Sequence, residues 1–422
     1  MMKILVIGNG GREHALVEAI KKSNKAKEIF CLPGNAGTHH VATNINNVDI
    51  KKFTEIKKFI KKKKIDLVIV GPEKPLVDGI VDYLEKNKIK VFGPNKKASK
   101  LEGSKIFTKK ICKNYNIPTA KFKIFKNKIK AYKYIKSSEF PLVIKSDGLA
   151  SGKGVYICEN IKKANKAITD IFNGKFGEAK QILIEELLRG EEMSFFVISD
   201  GKTIKKFGTA QDHKKIYEGD KGPNTGGMGA YSPSLLEDKL MDKKILNKII
   251  YPTFKSLKDM KIHFKGFLYA GLMIVKNQPY LIEYNVRMGD PECQTILPRL
   301  KTDFLRVISK SVEGKLSNLQ IKWKDKKSLC IVLTSKGYPG KFKNNIEIKN
   351  LSNYKSKNDQ IIFHAGTKIK NDKVFSNGGR VLNFVSLSKS LKKSRKKLLS
   401  LIKKINWNNG FYRKDIGFKA IK

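Results

Sequence analysis

Over the first hundred residues, short apolar runs alternate with Lys-rich stretches whose apolar positions recur at helical spacing. The runs Lys3 to Ile7, Glu28 to Leu32, Leu67 to Val70 and Lys90 to Phe92 predict strands, and Phe53-Thr54-Glu55-Ile56-Lys57-Lys58-Phe59-Ile60 predicts a helix with one apolar face. Alternation of this kind predicts a parallel sheet covered on both faces. Each strand ends in a glycine or proline turn: Gly8-Asn9-Gly10-Gly11, Pro33-Gly34-Asn35-Ala36-Gly37, Gly71-Pro72-Glu73 and Gly93-Pro94. In a parallel sheet these turns share one edge, where ligands of open α/β folds bind, so the pattern predicts a binding crevice.

After Leu101-Glu102-Gly103-Ser104 the pattern changes to longer strands joined by polar loops, with glycine-rich segments at 147–154 and 222–229. A boundary is expected near residue 103. The charged connector Trp323-Lys324-Asp325-Lys326-Lys327 precedes the strand Leu329 to Thr334 and a β-rich tail, and marks a second boundary. At 422 residues the chain exceeds what one core usually supports, which agrees with several packed units. There is no internal repeat.

No apolar stretch approaches the roughly 18 residues a membrane helix requires, and Ile4 to Ile7 is too short for a signal peptide. A soluble, cytoplasmic protein with no membrane partner is expected. Cys31, Cys112, Cys158, Cys293 and Cys330 are scattered without metal-ligand spacing and read as reduced, packed thiols. The net charge of +49 raises the question of nucleic acid. Of the 87 basic residues only eight are Arg, and Lys occupies the solvent face of every amphipathic segment. A base- or phosphate-reading surface would favour Arg and clustered aromatics, so a solvated face is expected and no specific nucleic-acid partner.

Gly8-Asn9-Gly10-Gly11-Arg12-Glu13 follows a strand and opens a helix, where backbone N–H groups can hold a phosphate. It departs from a dinucleotide fingerprint, because Glu13 stands where GxGxxG needs glycine and no acidic residue closes the second strand. Asp147-Gly148-Leu149-Ala150-Ser151-Gly152-Lys153-Gly154 lies between the strands Pro141 to Lys145 and Val155 to Cys158. Its spacing is not that of a Walker loop; it suits either a mobile lid over triphosphate or a plain flexible loop. Gln181 to Leu188 is a strand leaving into a connector, whose glutamates are either adenine and ribose contacts or surface charge.

The strongest local signal runs from Phe267 to Glu292. The apolar strand Phe267 to Val275 turns at Lys276-Asn277-Gln278-Pro279 into Tyr280-Leu281-Ile282-Glu283-Tyr284-Asn285. Alternation puts Glu283 and Asn285 on one face, two oxygen ligands suited to Mg²⁺ completed by water and phosphate. Arg287 follows at once, a fork able to clamp a phosphoryl group or a carboxylate.

A glycine-rich lid between strands, a strand lysine before it, a Glu-Glu connector and a terminal Glu-x-Asn together resemble the ATP-grasp superfamily. The segments Gly8-Asn9-Gly10-Gly11-Arg12-Glu13-His14, Gly71-Pro72-Glu73, Leu101-Glu102-Gly103-Ser104-Lys105, Gln211-Asp212-His213-Lys214, Gly222-Pro223-Asn224-Thr225-Gly226-Gly227-Met228-Gly229 and Tyr412-Arg413-Lys414-Asp415-Ile416-Gly417 resemble, in order along the whole chain, the phosphoribosylamine–glycine ligase family of purine biosynthesis. The resemblance implies an α/β, ATP-grasp multidomain fold. Its parts would be an N-terminal Rossmann-like parallel-sheet domain over 1–103, an ATP-grasp domain over 104–322 with a mobile lid subdomain around 120–188, and a small β-rich C-terminal domain over 323–422.

It also implies a carbon–nitrogen ligase that joins glycine to 5-phosphoribosylamine with ATP, through glycyl phosphate. Carried over by position, Lys105 and Lys145 would contact ATP phosphates beneath the loop of Asp147, Gly148, Gly152, Lys153 and Gly154. Glu192 would hold the ribose, with Glu185, Glu186 and Leu188 near adenine. Glu283 and Asn285 would bind Mg²⁺ or Mn²⁺. Arg287 with the Gly226-Gly227 backbone would hold the activated carboxylate and Asp212 the ammonium of glycine. Asn9, Gly10, Gly11 and Glu73 would receive phosphoribosylamine. The strand Phe267 to Val275 has no Asp or Glu to add a metal ligand. Another ATP-grasp ligase or carboxylase, and a basic nucleic-acid binder, remain as alternatives; amine-dependent ADP formation separates the ligases from the binder, and the choice of carboxylate separates the two ligases.

Overall fold

The computed structural model describes residues 1–149, 154–177, 181–351, 354 and 359–421. The first unit is a parallel sheet of β1 (Met2–Gly8), β2 (Ala26–Pro33), β3 (Thr43–Asn44), β4 (Leu67–Val70) and β5 (Val91–Phe92), in the order β3-β2-β1-β4-β5. Along β1 the alternation of side chains feeds two cores. Ile4 and Val6 pack with Leu16 of the helix Gly11–Lys21, while Leu5 and Ile7 join Ile56 and Ile60 of the helix Phe53–Lys63. Both faces are thus covered, and the glycine turns line up at the C-terminal edge of the sheet.

A second, antiparallel sheet is formed by β6 (Phe122–Phe125), β7 (Leu142–Ser146), β8 (Val155–Cys158) and β9 (Ile182–Glu186), ordered β6-β9-β7-β8. It has a core of its own, in which Ile144 and Ile184 meet Ile135 and Ile168 of the two helices laid across it.

The remaining strands are β10 (Glu191–Asp200), β11 (Ile204–Asp212), β12 (Lys215–Tyr217), β13 (Lys221–Asn224), β14 (Gly229–Ser232), β15 (Lys265–Val275), β16 (Gln278–Asn285), β17 (Lys327–Ser335), β18 (Gln360–His364), β19 (Thr367–Lys370), β20 (Lys373–Ser376), β21 (Arg380–Ser388) and β22 (Gly410–Phe411). Nine of them form one sheet, ordered β16-β15-β10-β11-β14-β17-β21-β18 with β22 beside β17. Because β14 pairs with β17, hydrogen bonding runs without a break past the charged connector at Trp323. The turn of the β15–β16 hairpin is shorter than the sequence suggests. Lys276 and Asn277, both at positive φ, make a two-residue turn, and Gln278 and Pro279 already pair with Val275 and Ile274. Pro279 is tolerated because β16 is an edge strand. Among the described residues no helix is long and apolar enough to cross a membrane.

Candidate active site

The turn after β1 is built around Glu13. Its carboxylate accepts from the Gly10 amide at 2.7 Å and from Arg12 Nε at 2.6 Å. Any Cβ on Gly8, at φ +128, or on Gly71 would collide with this buried side chain, so the glycines and Glu13 are one packing solution. Gly11 is confined in the same way by the amides of Gln294 and Asn383. Asn35, fully inside, donates to the carbonyls of Asn9 at 2.9 Å, Gly10 at 3.3 Å and His364 at 2.9 Å, tying the turn to β18. Asn9 itself is exposed.

Arg287 lies where this crevice meets β16. Its guanidinium pairs with Glu102 Oε1 at 2.7 Å and Glu73 Oε2 at 3.0 Å, and donates to Asn285 Oδ1 at 3.2 Å. Arg12 stands 4.0 Å from the same Glu73 oxygen. The Arg287 charge holds the Glu73 carboxyl down at about 2, well below the usual carboxylate range. A depressed carboxylate stabilises the fold above its unfolded pKa of about 4.3, and that contribution is lost as pH falls toward 2. Urea midpoints measured between pH 5 and pH 2 are therefore expected to fall more steeply for the wild type than for Glu73→Gln; parallel curves would remove Glu73 from the linkage.

The helix Lys105–Asn114 starts beneath the glycine-rich loop. Asp147 accepts from Ser104 Oγ at 3.1 Å and from the Ile106 amide at 3.2 Å, so it caps the helix, while Lys105 Nζ donates to the Gly148 carbonyl at 2.9 Å. Gly148, at φ +95, has open space around it, and the Gly154 carbonyl accepts from the Ser146 amide. Gly152 and Lys153 lie outside the described residues. Lys145 on β7 and Glu185 on β9 form a buried ion pair at 2.5 Å, and Lys109 pairs with the other oxygen of Glu185. The Glu185 carboxylate is thus held between two lysines. Glu186 is exposed and accepts from the Lys121 amide at 2.8 Å, with Leu188 half-buried beyond it.

The end of β11 brings Asp212 and Lys214 to the same space. Lys214 Nζ is 2.9 Å from Glu192 Oε2, and this partner raises its pKa. Burial pushes Asp212 up well above the usual carboxylate range, and the charge of Glu292 pushes in the same direction. Asp212 Oδ1 is buried and has no hydrogen-bond partner among the described residues. It rests against Gly227, where a Cβ would stand 2.8 Å away. The Gly227 amide donates to Thr225 Oγ1, and the Gly226 amide to Tyr338 OH at 3.0 Å. Arg380 closes the other side, donating to the carbonyls of Gly226 and Asp290 at 2.6 Å.

Across the hairpin, Glu283 and Asn285 flank buried Tyr284, as alternation requires. Glu283 faces Gly271 on β15, so no second carboxylate stands opposite. Burial pushes its pKa up, but Lys214, Lys145 and Lys105 outweigh this and hold it below the ordinary value. Neither oxygen of Glu283 has a hydrogen-bond partner among the described residues. Glu283, Asn285 and Asp212 thus converge with the ammonium groups of Lys105, Lys145 and Lys214 among β7, β11 and β16.

Three models of the phosphoribosylglycinamide synthetase family match the chain: the N domain over residues 2–102, the ATP-grasp (A) domain over 103–293 and the C domain over 328–419. A phosphoribosylamine–glycine ligase of Caldanaerobacter subterraneus is 46% identical, with 98% of this chain and 99% of the relative aligned. The chain belongs to the phosphoribosylglycinamide synthetase family. It is accordingly an ATP-dependent ligase of purine biosynthesis. The Fusobacterium nucleatum relative is 44% identical over 99% of this chain and 98% of its own. The crystal structure of the Thermotoga maritima enzyme superposes with a TM-score of 0.85 at 30% identity, covering 98% of this chain and all of that one. A biotin carboxylase domain from Hydrogenobacter thermophilus, 15% identical with a TM-score of 0.74 over 98% of this chain and 92% of that one, shares the fold.

In this synthetase several groups around the cleft were invisible as single residues in the sequence. Lys109 is one lysine in a chain saturated with lysine, with nothing local to distinguish it, and Lys214 stands in a motif segment without a role of its own. Glu102, whose oxygens bind the Arg287 guanidinium and the Val286 amide, and Glu13 sit in motif segments but had no role there. Asn35 and Tyr338 reach the site only through distant chain segments.

Proposed function

We propose that the ligase joins glycine to 5-phosphoribosylamine through glycyl phosphate, giving glycinamide ribonucleotide, ADP and phosphate. The observation that carries this reading is the buried Asp212 oxygen left without a partner beside Gly227. A carboxylate oxygen sealed from water without a donor costs free energy, and the ammonium of an amino acid supplies that donor. The carboxylate of the same small amino acid then lies toward Arg287 and the Gly226-Gly227 backbone, within a cleft whose lysines suit triphosphate.

A carboxylate is a poor electrophile. Transfer of the γ-phosphoryl group to one of its oxygens breaks the bond to ADP and forms a P–O–C bridge; attack by the amine breaks the C–O bond, releases phosphate and leaves an amide. Lys105 and Lys145 neutralise the phosphates, Glu192 receives the ribose, and the connector of Glu185, Glu186 and Leu188 borders adenine through its backbone. The lid reading of residues 120–188 is supported by the separate core of that unit. Asn9, Gly10, Gly11 and Glu73 receive phosphoribosylamine, with Glu73 suited to hydroxyl groups and Arg12 to its phosphate. Glu283 and Asn285 fit a divalent cation, Mg²⁺ or Mn²⁺, because a carboxylate with no hydrogen-bond partner among the described residues, an amide oxygen two residues on that accepts only from Arg287 among them, and a nearby triphosphate site match how such ions are held. When bound, the ion supplies charge neutralisation for the phosphates. A cytoplasmic setting agrees with five buried free thiols.

Glycine labelled with ¹⁸O in its carboxylate tests the route. One labelled oxygen is expected in each phosphate released; an adenylate route would put the label in AMP. Unlabelled phosphate formed together with genuine amide product would refute the acyl phosphate and the roles given to Asp212 and Arg287.

A further inference from the structure

The C-terminal motif beginning at Tyr412 takes no part in the steps above, yet it grips the chain segment that carries Asp212 and Gly226-Gly227. Those residues flank the β12–β13 hairpin: Asp212, His213 and Lys214 enter it, and Thr225, Gly226 and Gly227 leave it. The two sides are joined by the Thr225 amide on the Lys214 carbonyl at 2.8 Å and the Met228 amide on the His213 carbonyl at 2.8 Å. Beyond Asp212 and before Gly229 the two sides leave the large sheet, in which β11 and β14 pair directly only through Gln211 and Asp212.

Arg413 is fully buried beneath the hairpin. Its Nη1 donates to the Lys215 carbonyl at 3.0 Å and to Asp220 Oδ1 at 2.8 Å, and its fork binds Asp415 at 2.8 and 2.7 Å. Asp415 in turn accepts from the Gly219 amide at 2.9 Å, and the Lys414 amide donates to Glu218 at 3.1 Å. Base and tip of the hairpin are therefore held from one side. The clamp reaches the site itself through His213, whose Nε2 accepts from the Gly417 amide at 3.0 Å. That bond requires an unprotonated Nε2, which leaves the Nδ1 proton for the Gly229 carbonyl at 3.3 Å. Burial and the Arg413 charge keep the imidazole neutral, with its pKa pushed down to about 4. Gly417 sits at φ +81, and buried Ile416 packs on Gly229, so the tail is itself fixed in conformation.

We propose that residues 413–417 form a clamp that positions the glycine subsite, with Arg413 and His213 as its positioning residues acting on Asp212 and on the Gly226-Gly227 turn. The inference rests on the assignment of glycine to Asp212 made above. Neither Arg413 nor His213 touches substrate; they set where the Asp212 oxygen and the Gly226-Gly227 backbone stand. Displacing a subsite by a fraction of an ångström weakens the substrate bound there and leaves others unaffected. Lys105, Lys145 and Asn9 lie on elements the clamp does not contact, while Glu192, given to the ATP ribose, meets the clamped segment through Lys214 at 2.9 Å.

The test uses the full chain with His213→Phe, Arg413→Lys and Asp212→Asn, measuring KM for each of the three substrates together with kcat. His213→Phe keeps a ring against Phe418 and Tyr231 but removes the acceptor for Gly417. Arg413→Lys keeps the charge and removes the fork. Both are expected to raise KM for glycine on the order of tenfold, with KM for phosphoribosylamine within about twofold of wild type and KM for ATP rising less than that for glycine. Should Arg413→Lys fail to fold, His213→Phe carries the test, since it leaves the Arg413 ion pairs in place. Equal rises in all three KM values, or an unchanged glycine KM in His213→Phe, overturn the clamp while Asp212→Asn still raises the glycine KM. An unchanged glycine KM in Asp212→Asn overturns the glycine assignment, and the clamp's target with it.

Discussion

Glu283→Gln is expected to lower turnover by about 10²-fold or more in a protein that still folds. The substitution keeps the shape of a side chain packed opposite Gly271, so little packing is lost. What goes is the negative charge that Lys105, Lys145 and Lys214 share. Two effects then compete. A more positive cleft attracts ATP more strongly, but that attraction acts on substrate and transition state alike and cannot restore kcat. The loss of a charged oxygen ligand bears on the transferring phosphoryl group, where charge shifts during the reaction, so the second effect wins. Steady-state rates over a magnesium titration check this. Wild-type turnover throughout would take Glu283 out of the site.

Arg287→Met should cost both stability and activity. Removing one member of a buried ion pair leaves the others uncompensated, typically about 3–5 kcal/mol. Here two carboxylates, Glu73 and Glu102, are left facing each other. The Glu102 side chain is largely buried, and burial already pushes its pKa up, with Glu73 adding to the rise. Without Arg287 its folded pKa rises further above the unfolded value. A group with a raised folded pKa contributes stability at low pH that is lost as pH rises, so the deficit relative to wild type should be larger at pH 8 than at pH 5. Urea midpoints at the two values measure this. Activity should fall by about 10²-fold or more if the fork receives the glycine carboxylate as proposed. A deficit independent of pH would mean that Glu102 does not take up the proton, and an unaltered rate in folded protein would end the role of Arg287.

The elements that local pattern governs were legible in the chain. β1, β2, β4 and the β15–β16 hairpin lie within one or two residues of the strands read from alternation, and Glu283 with Asn285 shares a face as period two demands. Of the few Arg residues, Arg287 and Arg413 spread their guanidinium nitrogens over several partners that a point charge could not satisfy together, whereas Arg380 makes its contacts through one nitrogen. The joining of β14 to β17 was not legible, because strand pairing between distant segments leaves no mark in either segment alone.

For the residues of the cleft the division follows sequence distance. Which side chains are chemically able to hold a phosphate, a cation or a carboxylate is set by residue type and by periodicity over a few positions, as for Glu283 and Asn285 on one face of β16. Which of them are free to do so is set by neighbours that arrive from elsewhere. Glu185 is held by Lys109 and Lys145, the Gly226 amide by Tyr338, Asp147 by the start of the helix Lys105–Asn114, and the unpartnered oxygen of Asp212 exists only because burial removes water and no donor comes with it. Desolvation and Coulomb energy depend on distances through space, and those distances are fixed when sheets separated by hundreds of residues close on one another.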